Sequence, residues 1–266
     1  AEARTSMTIE PRRAAPGAVL RWSRQACALI ARGFGYWLGL VLLVCLWMFV
    51  GQRLPLIDGM LALAAFFASI LIAAQLDGPR RATLSEVLRM LRAHAFDIGA
   101  FAGIIACAGA LIWIFVLARP GVPWWSALYA ERGVIAALSE DWFVATRQVF
   151  VYSAYALGLC YFGLNIPGLT SFFQFPCTTL LGLRFRDAYK VGALAQARNL
   201  PAILAVGLMF ILLPFGCVLL LPPLVPLLYC FLGALTYVSF REIFLGIGEN
   251  RAIEPAGATS SLSSRA

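Results

Sequence analysis

The sequence predicts an all-α fold: a polytopic transmembrane helix bundle of about six spans, with amphipathic helices at the membrane surface. Two observations carry that expectation. Apolar residues make up 61% of the 266-residue chain and charged ones 13%, with a mean hydropathy of +0.83. Soluble domains run at about 45 to 50% apolar and about 25% charged. The second observation is where the charges fall: the Lys and Arg residues come in short blocks between long apolar stretches, so they do not line one polar face. A net charge of +8 distributed in this way reads as positive-inside topology and argues against nucleic-acid binding.

Taken in order, residues 1–16 are polar and close on Pro16-Gly17, a flexible tail by composition. Met7 is a candidate start, leaving residues 1–6 upstream of it, and no apolar core with a small-residue cleavage site points to a removed signal peptide. Residues 18–32 set Val19, Trp22, Cys27 and Ile30 against Arg21, Arg24 and Arg32, the pattern of a helix lying in the interface. Span one is expected over 34–50 and span two over 57–76, joined by the tight turn Gly51-Gln52-Arg53-Leu54-Pro55. Asp77-Gly78-Pro79 ends the hairpin, and residues 82–95 form a basic amphipathic connector with Leu84, Val87, Leu88 and Leu91 at helical spacing. Span three is expected over 98–117. Gly99, Gly103 and Cys107 within it, like Gly35 and Gly39 in span one, have the four-residue spacing that lets helix backbones approach closely, so internal bundle packing is expected there, with a dimer seam as the alternative.

Residues 118–147 carry Trp124, Trp125, Tyr129 and Trp142 among balanced charges, an outer loop with a short interfacial helix. The apolar run 149–183 is too long for one straight span and too short for two with a normal loop. A single crossing over 157–181, kinked at proline, keeps Arg184, Arg186, Lys190 and Arg198 inside; two short spans are the other parse. Residues 184–199 make a second basic inner connector, followed by span five over 200–221, the hairpin Leu221-Pro222-Pro223, and span six over 224–244. Both termini are then inside, together with all of the 21 Lys and Arg residues except Arg53, Arg119, Arg132 and Arg147. The organisation is a cytoplasmic tail and interfacial helix over 1–33, the bundle over 34–245 and a disordered cytoplasmic tail over 246–266.

Candidate chemistry is sparse. Gln75, Asn165, Gln174, Thr178 and Thr179 are the intramembrane polar candidates of spans two and four; they either bond across helices or, with a break near Pro167 and Pro176, place Asn165, Gln174, Thr178 and Gln75 on a polar cleft for a ligand. Arg89, Arg92, Arg184, Arg186 and Lys190 on the two connectors suit anionic lipid headgroups. Asp97, Arg241 and Glu242 lie at span ends and read as interface anchors. His94 is the single histidine and the seven cysteines are scattered without a CxxC, so no metal site and no cofactor are expected. No nucleophile, Walker or dinucleotide motif occurs in a suitable context, so no enzymatic activity is expected.

The segments Phe173-Gln174-Phe175-Pro176, Leu180-Leu181, Arg186-Asp187-Ala188, Ala197-Arg198-Asn199 and Ser239-Phe240-Arg241-Glu242-Ile243-Phe244 follow one another over residues 170–245. This pattern resembles a family of functionally uncharacterised bacterial six-helix inner-membrane proteins. In that family an aromatic-x-Pro in a central span leads to a connector ending in RN, then two apolar spans and a terminal YR-x-IF. Val191-Gly192 stands near where the family often has serine, and Ser239-Phe240 replaces its usual aromatic pair. The resemblance implies six spans in a bacterial inner membrane and carries over no catalytic or binding residue.

The function expected from these readings is non-enzymatic: a subunit, assembly factor or organiser of a larger membrane complex, its partners being membrane lipids and other membrane-protein subunits or a second copy of itself. The alternative is a transporter or permease for a neutral or lipophilic solute, with Asn165 and Gln174 lining its path.

Overall fold

The computed structural model describes residues 10–50, 55–78, 82–117, 171–220 and 225–246. These residues are helical and contain no strand. Nine α-helices run in chain order: α1 (Ala18–Arg32), α2 (Phe34–Val50), α3 (Pro55–Leu76), α4 (Leu84–Ala93), α5 (Ala95–Leu117), α6 (Gln174–Thr179), α7 (Phe185–Arg198), α8 (Leu200–Leu220) and α9 (Val225–Phe240). A π-helical turn, Arg241–Leu245, continues α9.

Two kinds of helix alternate. α2, α3, α5, α8 and α9 contain no Lys or Arg, while α1, α4 and α7 are amphipathic and basic. Three sharp bends join one kind to the other: α1 meets α2 at 89° across Gly33, α4 meets α5 at 56° across His94, and α7 meets α8 at 100° across Asn199. Each bend has a local cause. At Gly33 the Leu76 side chain presses so close that a Cβ would lie 2.2 Å from its Cδ1. His94 Nδ1 sits 3.2 Å from the Asp97 carboxylate, and Asn199 is engaged by an extended arm described below. α4 starts on a capping box, Thr83 accepting from the Glu86 backbone N–H while the Glu86 carboxylate accepts from the Thr83 N–H at 2.8 Å. Two bonds tie its approach to the α1–α2 corner: Tyr36 donates to the Ala82 carbonyl at 2.6 Å and Arg32 to the Gly78 carbonyl at 3.3 Å.

The centre is α9, packed on α3 and α1. Leu232, Leu235, Val238 and Phe240 are fully buried there, and the backbones of α3 and α9 touch at Gly233, where a Cβ would lie 2.4 Å from Ser69 Cβ and 2.9 Å from the Phe66 carbonyl. This is the close-approach glycine of the described core. Among the described residues, Gly35, Gly39 and Gly99, expected to seat neighbouring helices, have no atom within 4 Å of an added Cβ, and Gly103 meets Met60 Cε at 3.8 Å. Within the described residues the four-residue glycine spacing of α2 faces outward, and Trp37 on the opposite side supplies the buried contact.

The run expected as a kinked span over 157–181 lies outside the described residues up to 170. Its described end is a turn at Phe172-Phe173 followed by the six-residue α6. Pro176 stands in the first turn of α6, where a missing N–H leaves no bond unmade, so it belongs to a helix start and causes no kink. Phe175 packs on Phe67 at 4.5 Å and edge-on to Phe101 at 5.3 Å, fixing α6 between α3 and α5. Gly182, in the left-handed region at φ 64°, then redirects the chain into α7.

By length and composition one described helix, Pro226–Leu245, is apolar enough to cross a membrane alone, and up to four crossings result if each bent pair counts as one.

Candidate functional site

At one end of the apolar bundle the amphipathic helices, the C-terminal ends of α3 and α9 and an N-terminal arm meet in a polar layer, the densest set of side-chain bonds among the described residues. α1 supplies Arg21, Trp22 and Gln25 from adjacent turns. The π turn supplies Arg241 and Glu242, its defining bond running from the Gly246 N–H to the Arg241 carbonyl at 3.1 Å. This wider turn turns two successive charged residues toward different partners.

Glu242, 7% exposed, accepts three bonds: from Arg21 Nη2 at 2.5 Å, Arg21 Nε at 3.2 Å and the Trp22 indole N–H at 2.8 Å. Arg21 thus grips the carboxylate in a fork while Trp22, fully buried, closes it from the apolar side. Arg241 points the other way. Its Nη1 lies 2.5 Å from Asp77 Oδ1, its Nη2 donates to Gln25 Oε1 at 2.9 Å, and Tyr237 donates to the second Asp77 oxygen at 2.9 Å. The charges of Arg21, Glu242, Asp77 and Arg241 balance, and both carboxylates are occupied. The group is a clamp holding α1 flat across the ends of α3 and α9. Reading Arg241 and Glu242 as interface anchors is therefore corrected, since Glu242 is buried and bonded inside the protein.

Beside the clamp lies the arm. Residues 10–15, expected as part of a flexible tail, are threaded between the α7–α8 bend and the π turn. Arg12 donates its N–H to the Ile243 carbonyl at 2.8 Å, and Ala14 donates its N–H to Asn199 Oδ1 at 2.6 Å. Asn199 Nδ2 donates to the Arg12 carbonyl at 3.0 Å, and Arg198 Nη1 to the Pro11 carbonyl at 3.0 Å. Asn199 itself is 4% exposed. The two sequence patterns Ala197-Arg198-Asn199 and Ser239–Phe244, some forty residues apart, thus stand on either side of the same arm. Alongside it opens a cleft of about 550 Å³ lined by Glu10, Pro11, Arg12, Arg13 and Arg198.

The residues singled out from sequence fall elsewhere. Gln174 is fully buried and its amide is used at both ends, accepting from the Ser171 N–H at 3.1 Å and donating to the Phe185 carbonyl at 3.2 Å. It joins the start of α6 to the start of α7. Gln196 assists from α7, its Oε1 accepting from the Phe172 N–H at 3.3 Å. The Thr178 hydroxyl is buried with no hydrogen-bond partner among the described residues, whereas Thr179 bonds its own helix at the Phe175 carbonyl. Gln75 lies half-buried near the end of α3. Asn165 lies outside the described residues. Arg89 and Arg92 on α4, Arg186 and Lys190 on α7, and Arg184 just before α7 are all exposed. Among the described residues no three His, Cys, Asp or Glu side chains gather as a set of metal ligands.

The clamp was not legible beforehand. Arg21 and Glu242 are 221 positions apart, and only the unusual acid in the apolar, aromatic end of the last helix hinted at a buried partner. No protein-family model, curated protein or solved structure matches the chain.

Proposed function

We propose that this chain is a polytopic membrane protein of about six spans that acts without catalysis, as a subunit, assembly factor or organiser of a larger complex in a bacterial inner membrane. Helices of 17, 22, 23 and 21 residues (α2, α3, α5 and α8) support the spanning reading, because about 20 helical residues cross a hydrocarbon core of about 30 Å. The described Lys and Arg residues stand in the arm, α1, α4, α7 and the π turn, at one end of those helices. Such an asymmetry supports both ends of the chain lying on the cytoplasmic side.

One observation carries the complex reading. α2 presents Gly35, Leu38, Gly39, Leu42 and Leu46 on a face that no other part of the described protein covers. Paired glycines with open space above them, flanked by leucines, are the surface on which a second helix packs backbone to backbone in lipid. Gln174, by contrast, spends both ends of its inward amide on holding the fold.

The test is native mass spectrometry after gentle extraction, on the wild-type protein and on Gly39→Leu. A foreign subunit or second copy bound at fixed stoichiometry in the wild type and lost in the variant is the expected result. A lone monomer in both, under conditions that keep other complexes intact, would remove the reading.

A further inference from the structure

The cleft beside the arm has the composition of a phosphate site. Arg12, Arg13 and Arg198 line it together with Pro11 and a single acid, Glu10. Glu10 is the competitor already in place: its Oε1 lies 2.9 Å from Arg198 Nη2, yet its side chain is 74% exposed, so leaving Arg198 for solvent costs it little desolvation. Arg198 keeps its other hand on the Pro11 carbonyl, which holds the guanidinium in place when the acid departs. Arg12 passes beside Gly246, where an added Cβ would lie 2.1 Å from its Nη1, so the absence of a side chain at that position leaves room for it. The cleft is open to solvent on one side and larger than a bare phosphate needs.

Its position selects the source of the phosphate. Arg198 is in the last turn of α7, one residue before the bend at Asn199, after which α8 begins with exposed Leu200 and Leu204. An anion in the cleft is therefore at the level where the polar layer gives way to an apolar surface, the depth of a lipid headgroup with its chains along α8. We propose that this cleft binds the phosphate of an anionic phospholipid, Arg198 exchanging Glu10 for the phosphate while Arg12 and Arg13 complete the cage. Binding there needs no partner protein and shares only the membrane placement with the proposed function.

The experiment titrates the whole protein in neutral detergent with short-chain phosphatidylglycerol, short-chain phosphatidylcholine or inorganic phosphate, and reads bound adducts by native mass spectrometry. One phosphatidylglycerol should bind, with phosphatidylcholine at least about tenfold weaker. Arg13→Gln should weaken binding about fivefold, the usual contribution of one basic residue at an anionic surface. Glu10→Gln should tighten it. Both variants leave the arm's bonds to Asn199 and Ile243 in place, so neither depends on refolding the site. Arg89→Gln, on a different helix, should leave binding unchanged. The proposal is overturned if Arg89→Gln weakens binding as much as Arg13→Gln, which means diffuse surface attraction. It is also overturned if the two lipids bind alike, or if inorganic phosphate occupies the site at the concentrations phosphatidylglycerol requires, which means a soluble anion.

Discussion

Removing the Glu242 carboxylate tests the clamp most directly. In Glu242→Ala the Trp22 indole N–H, fully buried, loses its acceptor, and an orphaned buried donor costs about 1 to 3 kcal/mol. Arg21 loses both bonds, but a third of its side chain reaches solvent and rehydrates it, so the full penalty of about 3 to 5 kcal/mol for breaking a buried pair does not apply. The expected destabilisation is about 3 kcal/mol. Glu242→Gln retains an acceptor for Trp22 and loses the charge-assisted fork, for about 1 to 1.5 kcal/mol. Trp22→Phe on its own should cost about 1 kcal/mol, and combined with Glu242→Ala it should cost less than the sum, because the orphaned donor is then absent. Reversible unfolding in mixed micelles, followed by helicity, gives the four free energies. A loss below about 1 kcal/mol in Glu242→Ala, or strict additivity with Trp22→Phe, would refute the view that this acid fastens α1 to the end of α9.

Three further outcomes follow from named contacts. Gly233→Ala should separate α3 from α9, since the new methyl meets Ser69 Cβ at 2.4 Å and a backbone carbonyl at 2.9 Å; overpacking of this kind costs about 1 to 3 kcal/mol in the same unfolding assay, whereas Gly35→Ala should be neutral or stabilising in the isolated protein. Asn199→Ala removes three bonds and should free the arm, read as faster amide exchange at Arg12 and Ala14 and proteolytic nicking before Ala18, with α7 and α8 remaining protected. Gly192→Ala places a methyl 2.3 Å from Ser171 Oγ, and the resulting loss should be restored by Ser171→Gly, a reversal that melting temperatures would show.

Helix boundaries were legible because length, hydropathy and charge blocks are local properties. Phe34–Val50 and the connector Ala18–Arg32 stand where the sequence puts them, and the expected ends of spans two, three, five and six fall within a few residues of α3, α5, α8 and the π turn. What was not legible depends on which faces meet. Glycine spacing says that a backbone can be approached, but not whether a partner is there: Gly233, with no glycine at four-residue spacing, makes the contact, and Gly35-x-x-x-Gly39 makes none. Proline reads as a breaker wherever it stands, yet at Pro176 it opens a helix. Gln174 has the composition of a ligand-binding group and spends both ends of its amide on backbone, a distinction that only the positions of Ser171 and Phe185 decide.

The arm and the clamp together bear on how such a chain selects one arrangement. On the proposed membrane placement, burying leucine against leucine distinguishes one helix pairing weakly from another, because lipid is as good a neighbour as protein. Directional bonds discriminate far better, and here they gather at one end: α1 is tied to α9 and, through Gln25 and Arg241, to Asp77 at the end of α3, while the arm ties the α7–α8 bend to the π turn. Two of the bent pairs, α1–α2 and α7–α8, thus share one polar layer. On this view the polar end specifies the arrangement, and the apolar faces of α2 and α8 are left uncovered by the other described residues. A double variant that cuts both ties, Asn199→Ala with Glu242→Ala, should lose the α1–α9 proximity measured by cysteine crosslinking between these helices while keeping nearly full helicity. Loss of helicity in step with that proximity would mean that the apolar faces and the polar layer form one inseparable unit.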